Sequence, residues 1–152
     1  MTKTRSAYSL VELIIVVIFL GVLAALAVPR LNFSAVSKQK ADTIAWKIVT
    51  DLRRTRYLAI SNAAINTAGF ALNMTGSTPY TGYQIQNLDT LETLDSQSID
   101  SDINCTGGSR FKFGPLGNLL TGSDNRLTVS AAGKTFTLNI TAATGMIKCT
   151  EN

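Results

Sequence analysis

Any chemistry in this chain is built without histidine, which is absent from all 152 residues. Imidazole is therefore missing as a general base, proton shuttle or metal ligand, and neither a Ser-His-Asp nor a Cys-His nucleophile can be assembled. Cys105 and Cys149 are the only soft ligands, too few for a tetrahedral zinc site. Asp95, Asp100 and Asp102 offer hard oxygens of the kind calcium takes, but their spacing fits no EF-hand loop, and a solvated face is the simpler reading. The stretch "AAGKT" at 131–135 resembles the end of a phosphate-binding loop without its first glycine, because Thr128 stands five places before Gly133; a hairpin turn fits better. No catalytic residue, metal or cofactor is expected, and an enzyme is disfavoured.

Two other groups of residues have chemical meaning. In an oxidising compartment Cys105 and Cys149 would close a 45-residue loop, a disulfide worth about 4 kcal/mol; the other reading is two separate buried thiols. Arg110, Lys112, Arg126, Lys134 and Lys148 are candidates for an anion-binding patch that would suit DNA, against the alternative of scattered solubilising charge. Charge is also unevenly distributed. Residues 30–56 hold seven Lys/Arg against Asp42 and Asp51, whereas residues 89–102 hold five acids and no base. Such asymmetry steers assembly between copies or attracts an anionic partner. Arg53, Arg54 and Arg56 are spread over about half of a helix circumference, which favours salt bridges between subunits or to Asp51.

Near the N-terminus a carboxylate stands where apolar chemistry dominates. Tyr8 to Val28 is 21 residues with Glu12 as the only charge, preceded by Lys3 and Arg5. As a helix it reaches about 32 Å, matching a bilayer core, and the basic residues ahead of it predict a cytoplasmic N-terminus. Ala24, Ala25 and Ala27 imitate a signal-peptidase site. A discarded signal, however, has no reason to carry a carboxylate that costs up to a few kcal/mol when unpaired.

The segment "RSAYSLVELIIVVIFLGVLAALAVPR" resembles the type III signal of type IV pilins and type II secretion pseudopilins. The matching residues are Ala7, Tyr8, the following "SLVEL" with Glu12 fifth after the cut, Gly21 and Pro29. The resemblance implies cleavage between Ala7 and Tyr8 by prepilin peptidase, methylation of the Tyr8 amine, and pairing of Glu12 with the terminal amine of a neighbouring subunit. Ala7 and Tyr8 stand where the family usually has Gly and Phe. A second, looser resemblance, to GspH/FimT-type minor pseudopilins and minor pilins, rests on "DLRRTRYLAISNAAINTAGFAL" and on "FKFGPLGN" with "LTVSAAGKTFTLNITAATGMIK". Phe113, Pro115 and Gly117 approximate that family's turn. Some FimT-like proteins bind DNA through arginines near the last strand; here Met146 replaces the first and Lys148 remains.

Positioning these residues requires a long helix and a β-rich head. Pro29 predicts a kink or local melting between Gly21 and Pro29. The helix then resumes through Ile44, Ile48 and Leu52, with Ala41, Ala45, Thr55 and Ala59 beside them, ending near residues 62–64 after about 55 residues in all. Lys38–Asp42 and Lys47–Asp51 are expected as local pairs, and Trp46 and Tyr57, 11 apart, as one face packed on the head. Strands are expected at 68–74, 82–88, 109–113, 126–130, 134–140 and 145–149, with a hairpin at Ala132-Gly133 and a mobile loop over 89–104. The fold class is α+β and pilin-like, with a kinked N-terminal helix on an antiparallel sheet. Its parts are a leader (1–7), a transmembrane or filament-core helix (8–29), an amphipathic continuation (30–64) and a head (65–152).

The resulting expectation is a minor pilin or pseudopilin of a type IV pilus or type II secretion system, with DNA capture during uptake as the alternative. A periplasmic enzyme on a membrane anchor is disfavoured by the missing histidine and by Glu12. Expected partners are prepilin peptidase, other subunits, the inner-membrane assembly platform and, before assembly, membrane lipid. The expected location is the bacterial inner membrane, single-pass with a cytoplasmic leader and periplasmic head, and then the filament.

Overall fold

The computed structural model describes residues 9–27 and 33–152. Ala7, Tyr8, the rest of the leader and Pro29 lie outside the described residues, as does the expected join between the two helical segments. The chain divides into two compact units, with the boundary between Phe33 and Ser34.

The first unit contains α1, Leu10–Ala27. Its start is capped by Ser9, whose Oγ accepts a hydrogen bond from the Val11 N–H at 3.2 Å. The helix runs unbroken through Gly21, where an added Cβ would meet nothing within 4 Å. At about 1.5 Å per residue its 18 residues span about 27 Å, short of the ~30 Å hydrocarbon core. Among the described residues no helix is long and apolar enough to cross a membrane. The expected single-pass inner-membrane placement is therefore corrected: the described helix covers 18 residues of the apolar run.

The second unit contains α2 (Phe33–Ser61) from its second residue on, and eight strands. These are β1 (Phe70–Thr75), β2 (Gly82–Asn87), β3 (Thr93–Ser98), β4 (Asn104–Gly107), β5 (Arg110–Phe113), β6 (Arg126–Ala131), β7 (Lys134–Ile140) and β8 (Ile147–Glu151). They form two four-stranded antiparallel sheets, ordered β3-β2-β1-β5 and β4-β6-β7-β8. The fold class is α+β, with two sheets where the sequence suggested one.

Alternation decides which side chains enter the core. Phe70, Leu72 and Met74 of β1, Tyr83 and Ile85 of β2, and Phe111 and Phe113 of β5 are buried. The second sheet contributes Cys105, Leu127, Val129, Phe136, Leu138, Ile140 and Ile147. From α2 come Ala41, Ala45, Ile48, Val49, Leu52 and Ala59, and all but Ile85 belong to one cluster. Each fully buried aliphatic side chain contributes about 1.5–3 kcal/mol. Thr55 is buried without loss, because its hydroxyl donates to the Asp51 carbonyl at 2.7 Å.

Buried Asn66 directs the chain from helix to sheet. Its Oδ1 accepts from the Gly69 N–H at 2.8 Å, while Nδ2 donates to the Gly69 carbonyl and to Asn87 Oδ1. The β6–β7 hairpin turns at Ala132 and Gly133, both with positive φ, as a primed two-residue turn requires.

Candidate assembly surfaces

On α1, every large side chain from Leu10 to Leu23 is between 46% and 75% exposed, and Glu12 lies among them. A helix apolar on all sides does not remain bare in water. Whatever covers it must also accommodate one carboxylate.

α2 presents four different faces. The first, just described, enters the core. A second face carries Lys40, Lys47 and Arg54 at seven-residue intervals, which places them in line along the helix. Lys40 Nζ lies 3.1 Å from Asp100 and 3.3 Å from Asp102, Lys47 donates to Gln97 Oε1, and Arg54 Nη1 lies 2.6 Å from Asp95. The expected mobile acidic loop is thus corrected. It contains β3, paired with β2, and Asp95, Asp100 and Asp102 are held by the helix. The expected local pairs give way to distant ones, since Lys47 bonds Gln97, Asp51 bonds Tyr83 and Asp42 faces Lys134. Hydrogen bonds from Arg54 and then Gln97 hold the Asp95 carboxyl below its usual range, and those to Asp100 and Asp102 raise the Lys40 ammonium. No group of three or more His, Cys, Asp or Glu residues that could hold a metal ion occurs among the described residues.

Arg56 stands on a third face. Its Nε donates to the carbonyls of Gly117 at 3.0 Å and Thr144 at 3.1 Å, fastening the helix end to two loops. Gly117 and Gly145 are so close that a Cβ on Gly145 would overlap the Gly117 carbonyl. This gives Gly117 a structural role: it makes room for Arg56 and Ile60.

The fourth face is open. Trp46 is 50% exposed, Tyr57 68% and Ile60 42%, and Arg53 is exposed among them. Trp46 and Tyr57 do share a face, but it is the one turned to solvent, which corrects the expected packing on the head. Beside it, a cleft of about 630 Å³ lies between Arg53 and Arg56 on one side and the 144–147 segment on the other, with Met146 exposed at its rim.

The expected disulfide is also corrected. Cys105 and Cys149 are free thiols on β4 and β8, the opposite edges of one four-stranded sheet. Three strand spacings separate them by about 14 Å, twice the reach of a disulfide between Cα atoms. Burial pushes the Cys105 thiol up to about 12, and burial also raises Cys149.

The five candidate DNA contacts do not form one patch. Arg110 and Lys112 lie on the first sheet, and Lys112 Nζ donates to the Thr121 carbonyl. Lys134 is engaged by Glu151 at 3.3 Å and sits over the Phe136 ring. Only Arg126 and Lys148 meet in one cross-strand row, through Asn139. The open α2 face and the Lys40–Lys47–Arg54 line escaped sequence reasoning; the heptad spacing opposite an acidic run was the available signal for the latter. In comparisons with known proteins, no family model, no curated protein and no solved structure matches the chain.

Proposed function

We propose that this chain is a structural subunit of a filament of the type IV pilus or type II secretion pseudopilus kind. One observation carries the reading: α1 is apolar on every side, holds a single carboxylate, and belongs to a different compact unit from a well-packed head. Such a helix is suited to burial among identical helices, and Glu12 becomes tolerable there only when paired. The leader ends at Ala7, prepilin peptidase cuts before Tyr8, and Glu12 is the charge that assembly neutralises. The head contributes no catalytic constellation to this function.

Mass spectrometry of sheared surface filaments tests the proposal. A chain that begins at N-methylated Tyr8 is the expected result. A chain beginning at Met1, or after Ala27, removes the reading.

One observation favours a second reading, DNA capture by the head. Arg126, Asn139 and Lys148 form a polar, cationic row on the exposed face of the second sheet. Phosphate contacts of this kind weaken steeply with salt. A mobility shift at ~50 mM salt that disappears in the Arg126→Ala/Lys148→Ala chain supports it, and no shift at that salt eliminates it.

A further inference from the structure

Two sheet edges flank α2 and are left unpaired: β8 ends the second sheet and β3 ends the first. The Thr141 N–H donates to the Met146 carbonyl and the Asn152 N–H to the Thr135 carbonyl, so the even-numbered residues of β8 direct their backbone groups to β7. Bonding alternates along an antiparallel strand, and Ile147, Cys149 and Glu151 therefore turn theirs to the open side. On β3 the same count starts from the Ile99 N–H, which donates to the Thr81 carbonyl, and it leaves Ser96 and Ser98 turned outward. No further backbone–backbone hydrogen bond among the described residues engages these groups. We infer that the β3 edge of a second copy of this chain adds to the β8 edge, joining the second sheet of one head to the first sheet of the next. The inference rests on the filament-subunit reading and names the edges by which successive heads meet.

α2 serves as a ruler for both strands. Along β8, Ile147 shares a cleft with Arg53 and Arg56, and Glu151 shares another with Lys38 and Asp42. Along β3, Asp95 meets Arg54, Gln97 meets Lys47, and Asp100 meets Lys40. Both strands thus run opposite to α2. At 100° per residue the Lys40–Lys47–Arg54 line lies about 130° to one side of the buried stripe, with Asp42 and Arg53 about 100° to the other. Two copies set side by side with their α2 helices parallel therefore bring β3 next to β8 as a parallel pair, with neither head rotated. The strands are similar in length, about 16 Å for β8 and about 20 Å for β3. α2 does not close over the β8 edge, because clefts of about 630 and 660 Å³ lie at the two ends of the α2–β8 seam. An edge strand beside a helix is a geometry that receives an added strand.

Charge selects which edges meet. Exposed edges are ordinarily guarded by proline or by an inward-pointing charge. Neither β3 nor β8 contains proline, and the Asp95 carboxylate of β3 is neutralised by Arg54. Beside β8, Lys38 and Arg53 take part in none of the ion pairs among the described residues; beside β3, Asp89 and Glu92 take part in none. Unlike edges therefore attract, whereas β8 against β8 or β3 against β3 sets like charges together. The two edges are different surfaces, so the contact is heterologous: each copy gives one β3 and receives one, and such contacts propagate as a ring or an open filament.

Cysteine cross-linking between two differently tagged full-length chains provides the test, both carrying Cys149→Ala and leaving the buried Cys105 in place. One carries Ser96→Cys or Ser98→Cys and the other Lys148→Cys or Thr150→Cys, all at exposed strand positions. Oxidation is expected to join the two tags in at least one combination, about tenfold more than when the first chain carries Arg110→Cys instead, on β5 at the far edge of the first sheet. No cross-linking in any combination, or equal cross-linking through Arg110→Cys, overturns the contact. Ser98→Pro provides the second readout, since it removes an outward N–H that β2 does not use. It is expected to leave the thermal melt of the chain near wild type and to cut co-purification of the tagged copies by about tenfold. A Ser98→Pro chain that melts normally and still co-purifies at the wild-type level overturns the pairing. Filaments that take up that chain at the wild-type level also overturn the pairing and leave the filament reading standing. Cross-linked pairs in cells that make no filament containing this chain establish the pairing and remove the filament reading.

Discussion

The Tyr83 hydroxyl donates a 2.6 Å hydrogen bond to the Asp51 carboxylate, tying β2 to α2 at the edge of the core. Tyr83 is 1% exposed, so burial, and then the negative charge of Asp51, push its phenol well above the usual tyrosine range. Removing the hydroxyl as Tyr83→Phe leaves the carboxylate partly buried and without this donor. Bonds to charged groups are worth about 1.5–3 kcal/mol, so denaturant unfolding of the variant should show a loss of that size. The neutral phenol is the form favoured by folding. Its contribution is complete below the unfolded value near 10 and is lost as pH rises above it. Wild type should therefore lose stability above about pH 10 more steeply than Tyr83→Phe does; parallel curves would refute this.

The β3 strap should respond to salt and pH, because its ties to α2 are exposed ion pairs. Asp95 is lowered by Arg54, so its contribution is present above the ordinary carboxylate value near 4 and fades as pH falls through it. Lys40 is raised by Asp100 and Asp102, so its contribution is present below about 10.5 and fades above. The strap is tightest between those limits. Hydrogen exchange over residues 93–103 should quicken in ~1 M salt, where screening reaches about 3 Å, and in Arg54→Ala at any salt. Unchanged exchange in both would mean that β2 pairing alone holds the strap.

Two glycines with similar backbone angles should differ sharply in tolerance. Gly133 has φ +84° at an open hairpin tip, whereas Gly145 has φ +63° and faces the Gly117 carbonyl. Gly133→Ala incurs only the left-handed backbone penalty, about 1–2 kcal/mol. Gly145→Ala adds a steric overlap that must displace the loop held by Arg56, so its loss should be larger by at least about 2 kcal/mol. Thermal melts of the two variants, compared in one buffer, decide this. Equal losses would show that the 114–118 and 141–145 loops yield easily.

The sequence made six of the eight strands legible to within about two residues, because in each of them apolar residues alternate around a core. Phe70, Leu72 and Met74 show this best. β3 and β4 stayed hidden for a physical reason. β3, "TLDSQS", is an edge strand with one paired neighbour and no buried large side chain, so alternation has nothing to mark. β4 is four residues long and buries only Cys105. For α2 the inward stripe was legible: Ile48 and Leu52, with Ala41, Ala45, Thr55 and Ala59 beside them, are all buried. The place of the rings was not, since Trp46 and Tyr57 share a face that the helix turns to solvent. Local charge pairs were outcompeted by partners 32 to 92 residues away, which only the fold brings near.

Strand order also decides the chemistry of the two thiols, which counting cysteines could not. With Cys105 and Cys149 on opposite edges of the second sheet, oxidation of the folded chain should form no bridge within it. The thiols should differ in reactivity instead. Cys105 is fully buried with its thiol near 12, and the thiolate is the reactive form, so it should resist alkylation at pH 8. Cys149, partly exposed on an edge strand, should react first. Intact-mass measurement should show one adduct on the native protein and two after unfolding in denaturant. Reductant should leave the melting temperature unchanged, since no bridge contributes to it. A native mass about 2 Da low, restored by reductant, would require β4 and β8 to be neighbours and would contradict the β4-β6-β7-β8 order itself.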